Sequence, residues 1–190
     1  MDERENALIE QVLAGDAAAF EPLVTPYRGA LLGLASRIVR NPEDAQEVAQ
    51  ETLLRAYRYL GGFDRGLGFR SWLYQIAVNT ARSFQRKRLE RDIGLDRAAP
   101  EIIGAGSVED PEAGCDRAAL RARLMSCLDA LSRREREVFL LREIEELNVR
   151  ETAQALGSSA ISVRVHLNAA RRKIRARYLE LDRPDDGSRS

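Results

Sequence analysis

Histidine occurs once in these 190 residues, as His166, and cysteine twice, as Cys115 and Cys127. So few imidazoles and thiols build neither a metal site nor a disulfide framework, and no nucleophile stands beside a base as catalysis requires. No cofactor, metal or catalytic residue is expected. The chain also lacks an apolar run of roughly eighteen residues and a secretory pattern at its start, which points to a soluble, cytoplasmic protein without direct membrane contact. Strand-like alternation is missing as well. Nearly every segment has helical period, so the fold class is all-α. Net charge is absent too, with 30 Lys+Arg against 30 Asp+Glu. The total therefore says nothing about partners, and the distribution must be read instead.

That distribution is most informative over Leu131–Tyr178. Ser132 with Glu135, and Asn148 with Glu151, are two capping boxes. Val138, Leu141 and Ile144 give helical period after the first, and Thr152, Ala153 and Leu156 after the second. Gly157 suits the left-handed residue just past a helix, and Ser158-Ser159 offer a fresh N-cap. A further helix follows on the stripe Val163, Leu167, Ala170, Ile174. Two helices joined by a tight glycine turn make a helix-turn-helix. Off its stripe the last helix carries Ser162, Arg164, His166, Asn168, Arg171, Arg172, Lys173, Arg175 and Arg177. From Ile161 to Tyr178 there are six basic residues and no acidic one. A solvated cationic face is the plain alternative, but such faces usually mix both signs. The pattern fits phosphate contact with major-groove readout, so this part binds DNA.

The first half is expected to hold a helix over 5–14 and another from Asp16 to Arg40, broken at Gly15. Asn41-Pro42 starts the next helix, whose acids Glu43, Asp44, Glu47 and Glu51 precede its first basic residue, Arg55. Dipole matching explains acids in one turn, not over three. The ledge is either a solvated face or a seat for a basic partner. Four glycines between Gly61 and Gly68 make a loop. Phe69–Arg91 then forms a basic helix whose front is aromatic: Phe63, Phe69, Trp72, Tyr74, then Phe84. Rings among cations suit single-stranded nucleic acid, with stacking worth roughly 1–3 kcal/mol per base. Core packing is the alternative for Trp72 and Phe84, and Phe63 in the loop is left free. Asp92–Asp116 reads as a linker in which Cys115 is an exposed thiol. The helix after it is expected to turn Leu120, Leu124, Cys127, Leu128 and Leu131 to a core.

The strings AGDAAAFEPLVTPYR, DAQEVAQETLLRAYRYL, FRSWLYQIAVNTAR, and ALSRREREVFLLREIEELNVRETAQALG through VRVHLNAARRKIR occur in this order. Together they resemble a bacterial RNA polymerase sigma factor of the extracytoplasmic-function (ECF) group, over about Leu8 to Arg177. The second and third are most similar to the envelope-stress subgroup. The resemblance implies a region 2 domain over 1–91, a linker over 92–116, a region 4 domain over 117–181 and a disordered tail over 182–190. It implies core polymerase contact, at the β′ clamp helices and the β subunit, through Asp44, Glu47, Val48, Gln50, Glu51 and Leu54. It implies −10 promoter contact through Arg55, Phe63, Arg70, Trp72, Asn79, Arg82 and Arg86, with a flipped base captured near Phe63. It implies −35 contact through Ser159, Ser162, Arg164, Val165, His166, Asn168, Arg171 and Arg172.

Ile161, Val165, His166 and Ala169 depart from the residues common in the family, and Val165 is placed to touch a thymine methyl. The linker acids Glu101, Glu109, Asp110, Glu112 and Asp116 outnumber Arg97, as in a family segment that threads the polymerase cleft. An anti-sigma factor is the expected regulator, one that can hold the chain at the inner membrane. The rival reading is a stand-alone helix-turn-helix regulator, which leaves the acidic ledge and the aromatic-basic helix without a role.

Overall fold

The computed structural model describes the backbone of residues 3–94 and 111–182 and the side chains of residues 3–90 and 119–182. All regular structure among them is helical. Helix α1 (Glu3–Leu13) buries Ile9 and stops before Gly15, which takes φ 106°. Asp16 then caps a 3₁₀ turn by accepting from the Ala18 N–H at 3.0 Å. The single helix expected from Asp16 to Arg40 is instead three pieces: that turn, α2 (Phe20–Val24), and α3 (Arg28–Val39) after a second 3₁₀ turn at Thr25–Tyr27. Pro26 is the physical reason, because it has no N–H to continue the ladder. The apolar face survives the break, with Leu23, Val24, Leu31, Leu34, Ala35 and Ile38 all buried.

Arg40 ends α3 at φ 61°, and Asn41 caps α4 (Pro42–Tyr59) by accepting from the Asp44 N–H at 2.9 Å. Pro42 stands in the first turn, where its missing N–H costs nothing. Helix α4 buries Ala45, Val48, Thr52 and Ala56 against α3 and α5 (Phe69–Gly94). At 26 residues, α5 is about 39 Å long. It is the spine of the molecule, because α3 and α4 lie against it on one side and the second half of the chain on another.

That second half comprises α6 (Pro111–Asp129), α7 (Arg133–Phe139), a π-turn (Leu140–Ile144), α8 (Val149–Leu156) and α9 (Ala160–Leu181). Helices α5 and α6 both extend into the stretch expected as a linker. Its remainder, residues 95–110, and the tail from 183 lie outside the described residues, as does the Cys115 side chain. Both capping boxes are present in full, at Ser132/Glu135 and at Asn148/Glu151. Gly157 takes φ 57° past α8, and Ser159 caps α9.

Two expectations about burial are corrected. Ile144 points outward at 45% exposure, because the π-turn adds a residue to one helical turn and so brings Leu140 and Leu141 inside together. Leu120 and Leu124 are exposed as well. Cys127, Leu128 and Leu131 are buried as expected, and Met125, partly buried against the core, takes the place of Leu124 on the side of α6 that meets α9. The buried residues of both halves form one continuous apolar cluster.

Candidate nucleic-acid interface

Helix α9 is two-faced. Val163, Leu167 and Ala170 are buried and Ile174 is partly so, while Ile161, Arg164, Val165, Asn168, Arg171, Arg172 and Arg175 are exposed. Of the residues expected at the −35 element, Ser159 is committed to the cap, accepting from the Ser162 N–H at 3.1 Å. Ser162 and His166 are half-buried at the flank. Arg171 pairs with Glu143 at 2.8 Å, and Lys173 with Glu135 at 2.7 Å, which ties α9 to α7 and the π-turn. Arg164, Arg172 and Arg175 have no ion-pair partner among the described residues, so that face presents fixed, uncompensated positive charge.

The acidic ledge stands on α4 as expected, apart from Val48. That side chain is 1% exposed and belongs to the core, so it cannot touch polymerase directly. Glu47, Gln50 and Leu54 are exposed. Asp44 bonds Arg88 of α5 at 2.9 Å and Glu51 bonds Arg55 at 2.7 Å, so two of the acids are already partnered.

The residues expected at the −10 element divide into three groups. Phe63 is not free in the glycine loop but 8% exposed, 5.1 Å from Trp72 and 5.8 Å from Phe69 between ring centroids. The loop is held down by these rings, which periodicity along one segment cannot reveal. Arg55 reaches Thr80 at 3.5 Å, beside exposed Asn79, and Arg86 is exposed. Arg70 and Arg82 face the second half of the chain. Arg82 makes a two-pronged bond to Glu137, at 2.7 and 2.5 Å, and Arg70 donates to the Glu145 carbonyl.

Glu137 and Glu145 are the residues that sequence reasoning missed at this junction, and Tyr74, expected in the aromatic front, is buried against Glu145 instead. The Glu137 side chain is 1% exposed and also meets Arg134 at 3.5 Å. The Tyr74 hydroxyl donates to the Glu145 carboxylate, and burial followed by that bond pushes the phenol well above its usual range. Arg82 is raised by its bonds to Glu137, against the opposing effect of burial. A second tie joins Arg40 of the first half to Asp129, which also lies 3.7 Å from Arg136. Burial, with Arg40 nearby, lowers Arg136 to about 10. The one signal open to a sequence reader was a glutamate set beside the inward Val138.

Residues 23–90 match the family described as Sigma-70 region 2, and residues 121–174 match Sigma-70, region 4. RNA polymerase sigma-H factor of Pseudomonas aeruginosa is 33% identical over 178 residues, covering 90% of this chain and 92% of that protein. RNA polymerase sigma-E factor of Streptomyces avermitilis is 35% identical over 162 residues, covering 85% and 86%. Among solved structures, CnrH in complex with the cytosolic domain of CnrY aligns with TM-score 0.72 at 28% identity, over 95% of this chain and 99% of that one. The sigma factor RpoE in complex with the anti-sigma factor NepR from Bartonella quintana adds likeness of fold alone, at TM-score 0.67 and 21% identity over 86% and 98%.

Regions 2 and 4 in this order define an RNA polymerase sigma factor. The chain belongs to the ECF group of that family, being 31% identical over 176 residues to the ECF RNA polymerase sigma-E factor of Haemophilus influenzae, over 90% of this chain and 93% of that protein.

Proposed function

We propose that this sigma factor docks on core RNA polymerase through the exposed part of the α4 ledge, reads the −35 element with α9, and engages the −10 element with α5. The chain itself makes and breaks no bond. It favours opened DNA by binding it, because a protein surface that accepts an unstacked base offsets the few kcal/mol that flipping costs. The carrying observation is α9: a capped helix, second in a helix-turn-helix, with its apolar side in the core and Arg164, Arg172 and Arg175 turned outward without ion-pair partners among the described residues. Glu47, Gln50 and Leu54 are the ledge residues available to the β′ clamp helices. Arg55 and Asn79 supply the polar groups for a flipped base, while Phe63 supports the site from beneath by packing on Trp72.

In the arrangement described here Arg70 and Arg82 are held by Glu145 and Glu137. Engagement of the −10 element exchanges those partners for DNA, so region 4 must swing away from α5. Control by an anti-sigma factor fits this need, since a partner that bridges the two halves keeps α5 covered. The likeness to CnrH, solved with the cytosolic domain of a second protein, supports that mode and an attachment at the membrane through the partner. No described helix is long and apolar enough to cross a membrane.

The test is run-off transcription over fragmented genomic DNA, with purified core polymerase and with or without the chain. Transcripts that begin downstream of shared motifs only when the chain is present are the expected result. No transcripts, together with clean duplex binding by the chain alone, would establish the stand-alone regulator instead.

A further inference from the structure

Ile161 and Val165 stand out on the exposed face of α9. They are 71% and 60% exposed, while Val163, Leu167 and Ala170 already fill the side that meets the core. The two are one helical turn apart. Arg164 and Asn168 lie on the same side, and Arg172 and Arg175 continue the face. A β-branched side chain is a poor occupant of an exposed helical position, because it gives up χ1 freedom and leaves apolar surface in water. The same restriction has a use. Its methyl groups are held in one rotamer before any partner arrives.

We infer that Ile161 and Val165 read the C5-methyl groups of thymines in the major groove of the −35 element; this rests on the sigma-factor reading above. Arg172 and Arg175, further along the face, draw in phosphates, so the pair itself meets base edges. The thymine methyl is the apolar group that the major groove presents. Side chains four apart on a helix have Cβ atoms about 5–6 Å from each other. Bases step about 3.4 Å along a strand, so the pair spans methyls one or two steps apart. A cytosine amino group or a guanine oxygen placed there would lose its water and gain no hydrogen bond. Discrimination at these positions thus comes from shape and desolvation, whereas Arg164 and Asn168 carry the hydrogen-bonding readout beside them.

The experiment uses polymerase holoenzyme reconstituted with the full chain on a promoter found by run-off transcription. Each thymine of the −35 element is replaced singly by uracil, which removes the methyl and leaves every hydrogen-bonding group in place. Binding is measured by competition. One or two positions are expected to lose about four-fold in affinity, the worth of roughly one buried carbon. At those positions holoenzyme carrying Val165→Ala or Ile161→Ala is expected to bind the thymine and uracil forms equally. Each result is a ratio for one protein on two DNAs, so partial unfolding of a variant does not imitate it. The inference is overturned if no position responds to the methyl, or if both variants keep the wild-type ratio. Absence of promoter-specific transcription overturns the sigma-factor reading and this inference with it, whereas specific transcription without methyl dependence overturns this inference alone.

Discussion

Glu135 holds two structures together with one carboxylate. It accepts from the Ser132 N–H at 2.8 Å to close a capping box, and from Lys173 of α9 at 2.7 Å. Burial alone would raise its pKa, but the bonds from Lys173 and Ser132 outweigh that and hold it below its ordinary 4.5. A carboxylate with a depressed folded pKa stabilises at neutral pH and loses that contribution as pH falls through the acid range. Glu135→Gln is therefore expected to lower the melting temperature at pH 7, and the difference from the wild type is expected to shrink as pH falls through the acid range, measured by thermal melts across pH. Phe63 argues differently. Its ring is buried among Phe69 and Trp72, so Phe63→Ala is expected to cost about 3–5 kcal/mol of stability. Chemical denaturation of the free chain tests this, and an unchanged midpoint would contradict the packing described.

Among the elements, the turn between α8 and α9 shows what local chemistry decides. Gly157 sits at φ 57°, and a Cβ placed there would meet nothing within 4 Å. Gly157→Ala should thus cost about 1–2 kcal/mol through the backbone alone, with Gly157→Asn milder because asparagine tolerates that region. Equal stability of all three by denaturant titration would show that the turn relaxes. This turn was legible in the sequence, as were both capping boxes and the α9 stripe, because each is made by residues within a few positions of one another. Ile144, Leu120 and Leu124 were misjudged for the opposite reason. Their exposure depends on a π-turn and on which side of α6 finds α9, and no periodicity within one segment encodes either. The candidate site divides the same way: the cationic face of α9 and the ledge of α4 could be read directly, whereas the pairing of Arg82 with Glu137 joins residues 55 positions apart.

For the whole molecule, the packing of α5 on α8, tied by Arg82 to Glu137 of α7 and by Arg70 and Tyr74 to Glu145, determines whether the two halves act as one body. Removing the charge of Glu137 strips Arg82 of its two-pronged partner, a loss of about 1.5–3 kcal/mol for bonds to a charged group. Glu137→Gln is expected to widen the distance between fluorophores placed on α4 and α9 and to raise promoter affinity of the holoenzyme. An unchanged distance distribution would show that apolar contact alone holds the halves closed. The junction also bears on synthesis. Within the first half the Arg65–Glu10 bond bridges 55 positions and Arg88–Asp44 bridges 44, whereas the bonds joining α5 to Glu145 bridge 71 and 75. At about 5–20 residues per second a ribosome needs roughly 3–11 s to pass from Arg82 to Glu137. For that interval the growing chain presents Arg82 before the carboxylate that later holds it has been made.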